Sequence, residues 1–468
     1  MERLGPVVAT VSATTARAAT TAARAAMAAG ADRVEVRLDH LAPGEDPLSL
    51  LDLSREMPLL VSGRRDRLQP EELPVLKRGQ ERGVWVDVPF TSDLAEGLHG
   101  LDPSRLVLSW HEFEGIPADL GAVLSRMRSR RAATYKIVTT AGDFPDTLSV
   151  LRFLEQVRRG DLCAFAMGGA GLASRILALA WGSCATYAAA PGCDPAASGQ
   201  MGLEEFLRVY RPREIHRDTL LFALAGWPLA HTQTPSFFNP WLEGAGLPGR
   251  YVPFPCMDPR DLIANGLPLG GVAVTVPHKE TALRLAARTS RLARTAGACN
   301  TLLPGPDGWL AANTDVWGVR CALRRVPRGS RALLVGCGGA ACAAALVLRG
   351  RGPVAVCARD DSKAEAFARR WALEAIPWDK RAAARWDLLV NATPVGSLED
   401  ETPYPLKSLC GRWVFDMVVR SNQTALLKAA AARGVEVIPG HAMLVPQAAL
   451  QFRLWTGRRA PGRVKSKK

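Results

Sequence analysis

The chain has 468 residues, 48% hydrophobic and 22% charged, with 59 Lys and Arg against 45 Asp and Glu for a formal charge of +14. That length suits two or three domains with ample material for cores. No run of about 18 uncharged apolar residues occurs, so no membrane-spanning helix is expected. The 10 cysteines are scattered, with no CxxC pair and no Cys/His spacing of a zinc site, which predicts reduced thiols, a cytoplasmic setting and no bound metal. The opening "MERLGPVVATVSA" reads as a strand rather than a secretory signal. The Arg- and Ala-rich run after it reads as the helix of a βα unit rather than a transit segment. The positive excess lies partly in the tail "GRRAPGRVKSKK", and the remaining arginines are dispersed. No basic stripe interleaves with aromatics, so small anionic metabolites are expected as partners rather than nucleic acid or a membrane. The oligomeric state is left open.

In chain order, short apolar strands alternate with helical patterns. Strands read at "PVVATVSA", "DRVEVRLD", "PLLVSGR", "GVWVDV", "RLVLSWH", "ATYKIVTT", "LCAFAMG" and "CATYAAA". Eight strands in some 190 residues predict a closed (β/α)8 barrel. The polar stretch "YRPREIHRD" (Tyr210–Asp218) reads as a linker. A second βα system follows through "TLLFALAG", "GRYVPFPC", "GGVAVTVPHK" and "ACNTLLPG". A third opens on "RALLVGCGGAACAAALVLRG", a strand, a glycine turn and an apolar helix, which predicts a doubly wound nucleotide-binding domain. The expected fold is α/β throughout, with domains over 1–212, 219–323 and 324–468, the last ending in a helix that returns to the second domain and in a basic tail.

In a barrel, working residues sit at the C-terminal ends of strands. Glu35, Arg37 and Asp39 alternate along "VEVRLD" and share a face. Arg64 ends the third strand, His111 ends the fifth, and Lys136 sits inside the sixth; Arg175 and Gln200 come later. A strand lysine alone is ordinarily a solvated surface charge, and Asp39 alone would be a cap or a salt-bridge partner. Three arginines inside a barrel call for an anion. Their charge would also favour a neutral Lys136 amine able to attack a carbonyl. His111 could shuttle protons near neutral pH, with Glu35 orienting it.

The ordered pieces "VEVRLD", "SWHEF", "YKI", "ASR" and "GQ" resemble type I 3-dehydroquinate dehydratase over about residues 5–210. The resemblance implies an imine between Lys136 and the substrate ketone. His111 would take the C2 proton and assist loss of the C1 hydroxyl, with Glu35 as its partner. Arg37, Arg64 and Arg175 would hold substrate hydroxyls and carboxylate, and Gln200 would ride on a closing loop. That loop departs from the family's: it is longer, and Ala196 stands where the family has serine.

In the second half, "VGCGGAA" places Gly336, Gly338, Gly339 and Ala340 between a strand and a helix, where phosphates can approach the backbone and the helix N-terminus. Without a ligand the same pattern is a tight βα turn. After the next strand, Arg359 and Lys363 suit a 2′-phosphate and favour NADP, whereas Asp360 and Asp361 would suit the ribose of NAD. NADP is expected, with NAD kept open. Lys279 and Asp315 could pass a proton to or from a substrate oxygen beside a nicotinamide.

The pieces "GWPLAHTQTPSFFN", "VTVPHKE", "GACNTL", "NTDVWG", "GCGGAA", "NATPVG" and "MLVPQAALQF" resemble shikimate dehydrogenase over about residues 220–458. The resemblance implies Lys279 and Asp315 as the acid–base pair. Thr232 and Thr234 would replace family serines that bind the substrate carboxylate. Thr275, Asn300 and Gln447 would bind ring hydroxyls, and Thr393 and Gly440 would line the nicotinamide side. Ala273 and Val419 stand where the family has asparagine and tyrosine. Together the halves imply two consecutive steps, dehydration of 3-dehydroquinate and NADPH-dependent reduction of 3-dehydroshikimate to shikimate. Two alternatives share the pattern: NAD-dependent quinate or shikimate oxidation feeding the dehydratase, and a regulator built on decayed copies of both enzymes.

Overall fold

The computed structural model describes residues 3–63, 69–91, 100–229 and 232–462. The chain divides into two compact units, Met1–Glu243 with Leu247–Pro268, and Gly244–Gly246 with Leu269–Lys468.

The first unit is built on eight parallel strands: β1 (Val7–Val11), β2 (Arg33–Arg37), β3 (Leu59–Ser62), β4 (Trp85–Pro89), β5 (Leu106–His111), β6 (Thr134–Thr140), β7 (Leu162–Met167) and β8 (Thr186–Ala189). They run β7-β6-β5-β4-β3-β2-β1-β8 in one sheet that nearly closes on itself. At the seam between β7 and β8 the ladder gives way to separate bonds, Cys184 N to Leu162 O at 2.7 Å, Ala164 N to Ser183 Oγ at 3.1 Å and Cys163 Sγ to Ala185 O at 3.3 Å. The strands are almost wholly buried, as parallel strands covered on both faces must be. The period of two sends alternate side chains into the lumen, where Thr10, Glu35, Asp87 and Lys136 meet. A parallel pair, β9 (Leu220–Gly226) and β10 (Gly249–Pro255), completes this unit. It is joined to the barrel's layer by Phe144 packed edge-on against Phe254, ring centroids 5.6 Å apart.

The second unit opens on β11 (Leu269–Val274), β12 (Arg288–Thr289), β13 (Thr301–Gly305) and β14 (Gly308–Ala312). β13 and β14 form an antiparallel hairpin, and β11 pairs antiparallel with β13. The expected βα alternation thus breaks here. The cause is local: Pro306-Asp307 form a two-residue turn between the paired Gly305 and Gly308, the latter at φ +114°. The nucleotide-binding pattern follows as six parallel strands, β15 (Ala332–Val335), β16 (Val354–Cys357), β17 (Glu374–Ala375), β18 (Leu388–Asn391), β19 (Trp413–Asp416) and β20 (Glu436–Ile438). Their order is β17-β16-β15-β18-β19-β20. The chain reverses its direction of winding between β15 and β18, the crevice where doubly wound sheets hold ligands. Among the described residues no helix is long and apolar enough to cross a membrane.

Candidate active sites

Lys136 lies at the middle of β6 with its side chain 6% exposed. Its ammonium donates to Asp87 Oδ2 at 2.7 Å and to Glu35 Oε1 at 3.4 Å. It also lies 4.3 Å from the centre of the Tyr187 ring. A hydrogen-bonded chain extends outward from this cluster. Thr10 Oγ1 donates to Glu35 Oε2 at 2.8 Å, and Gln200 Nε2 donates to Thr10 Oγ1 at 3.2 Å. Gln200 Oε1 in turn accepts from Ala196 N at 2.8 Å. The loop that departs from the family pattern is thereby tied back to the lumen by its own glutamine, through a backbone N–H that the alanine retains.

The charge around the lysine differs from the expected one. Arg37 makes a bidentate pair with Asp39, at 2.9 and 2.6 Å. Arg175 sits on the short helix Leu172–Leu177, its guanidinium 4.5 Å from the Phe165 ring centre. Two carboxylates and a ring face lie against Lys136. Asp87 was not singled out by sequence reasoning. The available signal was a lone aspartate inside the apolar strand "VWVDV". Arg64 lies outside the described residues.

His111 ends β5. Ser109 is level with Lys136 across the β5–β6 ladder, and His111 is level with Val138. The imidazole thus shares a face with the lysine one pleat nearer the C-terminal mouth, and it stacks on Phe113 with centroids 6.1 Å apart. Cys163, level with Lys136 on the other side, is no rival nucleophile: burial pushes its thiol up to about 12.

In the second unit, Lys279 Nζ donates to Asp315 Oδ2 at 2.5 Å. The opposite oxygen, Oδ1, accepts from Asn300 Nδ2 at 2.8 Å, and Asn300 also reaches Gln447 Oε1 at 3.1 Å. Thr314 Oγ1 donates to Gln447 Oε1 at 3.0 Å, and Thr314 N donates to Asn300 Oδ1 at 2.7 Å. Four expected residues from separated stretches of chain thus form one buried network, with Thr314 as a member that sequence reasoning quoted but gave no role. Thr275 lies just beyond β11, its carbonyl accepting from His278 N at 2.9 Å. Burial pushes the neighbouring Cys299 thiol up to about 12, so it stays protonated beside the pair. Thr232 and Thr234, in the first unit, bond to each other at 3.2 Å.

At the switch point, Gly336 adopts φ +110°, and a Cβ there would lie 2.9 Å from Thr393 Cγ2. The loops after β15 and β18 meet at this glycine. A Cβ on Gly338, by contrast, would meet nothing within 4 Å. The turn is open on that side, ahead of the helix Gly339–Leu348 that includes Ala340, and the residues present fit the diphosphate of a dinucleotide. Gly440 is required by packing, since a Cβ would lie 2.4 Å from Val418 O. Asp360 caps the helix Asp361–Trp371, accepting from Lys363 N at 3.1 Å and pairing with the Lys363 ammonium at 3.3 Å. Arg359 is exposed beside them.

Comparison with known proteins fits these two centres. The family model for type I 3-dehydroquinase matches residues 7–217. The shikimate dehydrogenase substrate binding domain matches 224–302, and the shikimate 5'-dehydrogenase C-terminal domain matches 440–464. The NADP(+) shikimate dehydrogenase of Acidiphilium cryptum is 39% identical over 251 residues, 51% of this chain and 90% of that protein. The chain belongs to the shikimate dehydrogenase family. A type I 3-dehydroquinase domain precedes that part, so a lyase and an oxidoreductase of the shikimate pathway share one polypeptide. The chloroplastic bifunctional 3-dehydroquinate dehydratase/shikimate dehydrogenase of Arabidopsis thaliana is 29% identical over 477 residues, covering 92% of this chain and 79% of that protein. The solved shikimate 5-dehydrogenase of Thermus thermophilus, 36% identical, covers 52% of this chain and 95% of its own, at TM-score 0.48.

Proposed function

We propose that the two activities act in sequence, the dehydratase over 1–212 making the 3-dehydroshikimate that the dehydrogenase over 219–468 reduces to shikimate. The observation that carries this reading is the presence of two lysine–carboxylate centres in one chain, Lys136 with Asp87 and Lys279 with Asp315.

In the barrel, Lys136 is the nucleophile. It must shed a proton before attack, and Asp87 at 2.7 Å is the nearest acceptor. The amine adds to the C3 ketone and water leaves, giving an imine. The imine draws electrons from C2, and His111 takes the C2 proton and returns it to the departing C1 hydroxyl. Water then releases the product and regenerates Lys136. Glu35 is the partner of His111 in this reading, and it also fixes the lysine through Thr10 and Gln200. Arg37, Arg64 and Arg175 hold the anionic substrate.

In the dehydrogenase, NADPH supplies a hydride when bound. Gly336, Gly338, Gly339 and Ala340 hold its diphosphate, and Thr393 and Gly440 lie on the nicotinamide side. Arg359 takes the 2′-phosphate with Lys363. The preference for NADP rests on Asp360, whose oxygens are engaged in capping and in the Lys363 pair, while Arg359 has no acid partner among the described residues. Lys279 donates a proton to the substrate oxygen as it becomes a hydroxyl, and Asp315 restores the lysine's proton. Thr275, Asn300 and Gln447 bind ring hydroxyls, and Thr232 and Thr234 bind the carboxylate. A cytoplasmic setting is supported by ten free cysteines.

The deciding experiment gives purified protein 3-dehydroquinate and NADPH together. Shikimate as product is expected. Consumption of 3-dehydroquinate without NADPH loss would refute the sequential reading, and faster turnover with NADH would reverse the cofactor assignment.

A further inference from the structure

The N-terminal end of the barrel, opposite the mouth where His111 sits, holds a cavity of about 860 Å³. It lies where strands begin: Leu4 and Pro6 precede β1, Trp85 begins β4, Thr134 begins β6 and Cys184 precedes β8. Barrel enzymes do their chemistry at the other end, so this cavity has no part in either proposed reaction.

Its charged wall residues are all arginines, with the imidazole of His216 beside them. Arg3, Arg213, His216 and Arg217 line it, and no carboxylate does. Two of these cations are held in place from outside the cavity. Arg213 is paired with Asp32 at 2.6 Å. Arg217 is paired with Glu155 at 2.9 Å and lies 4.5 Å from the Trp181 ring centre. Arg3 and His216 are exposed, and neither side chain has an acceptor among the described residues. Apolar surface is contributed by Leu4, Pro6, Ala133, Leu179 and Ile215 together with Trp85, beside the hydroxyl-bearing Thr134 and Ser183. The buried Trp85 indole N–H has no hydrogen-bond acceptor among the described residues, so the wall holds one further unused donor.

We propose that this cavity binds a small amphiphilic carboxylate, with one anionic head and a ring-sized apolar body. A bare inorganic anion would satisfy the cations and leave the apolar wall wet. A neutral ring would leave Arg3 and His216 unmatched. Charge-assisted hydrogen bonds from guanidinium to carboxylate supply the specificity, and burial of the ring supplies the remaining affinity.

The test is calorimetric titration of the full-length protein with benzoate, benzamide and inorganic phosphate in turn. One benzoate is expected per chain, with benzamide and phosphate at least about tenfold weaker. The double substitution Arg3→Ala, His216→Ala should weaken benzoate by about tenfold or more and leave both catalytic activities unchanged. Its side chains are exposed, so the fold should survive, and a thermal melt checks this. Ala180→Glu, which places a carboxylate in the wall, should weaken benzoate comparably and provides a second route should the first variant misfold. Benzoate binding that neither substitution alters would overturn the proposal. So would benzamide or phosphate binding as tightly as benzoate.

Discussion

The two halves of the chain each set a lysine against a carboxylate, in different surroundings. Lys136 is enclosed, its side chain 6% exposed, against two carboxylates and a tyrosine ring. Lys279 is 12% exposed and has one carboxylate, at 2.5 Å. A lysine held among several groups is fixed in position and gains a nearby base, which suits an amine that must form a bond. A lysine with a single acid partner and a more open flank suits a proton that must come and go. In the proposed reading, environment rather than residue type separates the nucleophile from the acid.

Substitutions can break that contrast. The largest effect expected is from Lys136→Ala, which should reduce dehydration to background and leave reduction of 3-dehydroshikimate at its original rate. Borohydride with substrate should mass-tag the parent protein and not the variant. Lys279→Ala should do the reverse, lowering reductase kcat by about 10²–10⁴ with dehydration intact. If either change removed both activities from a folded protein, the two-centre description would fail.

Asp87→Asn tests the enclosure itself. It leaves Glu35 as the carboxylate against Lys136 and removes the nearest proton acceptor. Dehydratase kcat should fall by about 10²–10³ with a smaller change in KM. An unchanged kcat would mean that Asp87 only neutralises the buried ammonium. The smallest effect expected is structural. Gly336→Ala puts a methyl 2.9 Å from Thr393 Cγ2 at φ +110°. It should cost about 1–3 kcal/mol in the second unit. It should also raise KM for NADPH, read by a fluorescence titration and a melt, while the dehydratase keeps its rate.

Much of this was legible beforehand because both folds announce themselves locally. Eight buried strands at βα spacing, and a strand–glycine turn–helix after Ala332–Val335, are short-range patterns. Lys136, Lys279 and Asp315 could be picked out because charged residues in apolar strands or at strand ends stand against their surroundings. The surroundings were harder to read. The expectation of cations around Lys136 did not allow for Arg37 pairing with Asp39 two residues on, nor for the two carboxylates against the lysine. Asp87 was passed over because nothing along the chain links it to a lysine 49 positions away.

The amino-acid sequence by itself determined most element types and the fold class, because hydrophobic period and turn residues act over a few positions. Only the tertiary structure decided which charges meet. Closing the sheet brought Glu35, Asp87, Lys136 and Tyr187 from four different strands into one lumen. The C-terminal helix His441–Thr456 placed Gln447 beside Asn300. Electrostatic partnership depends on distance in space at a few ångströms, and that distance is set by strand register and helix packing rather than by any local pattern.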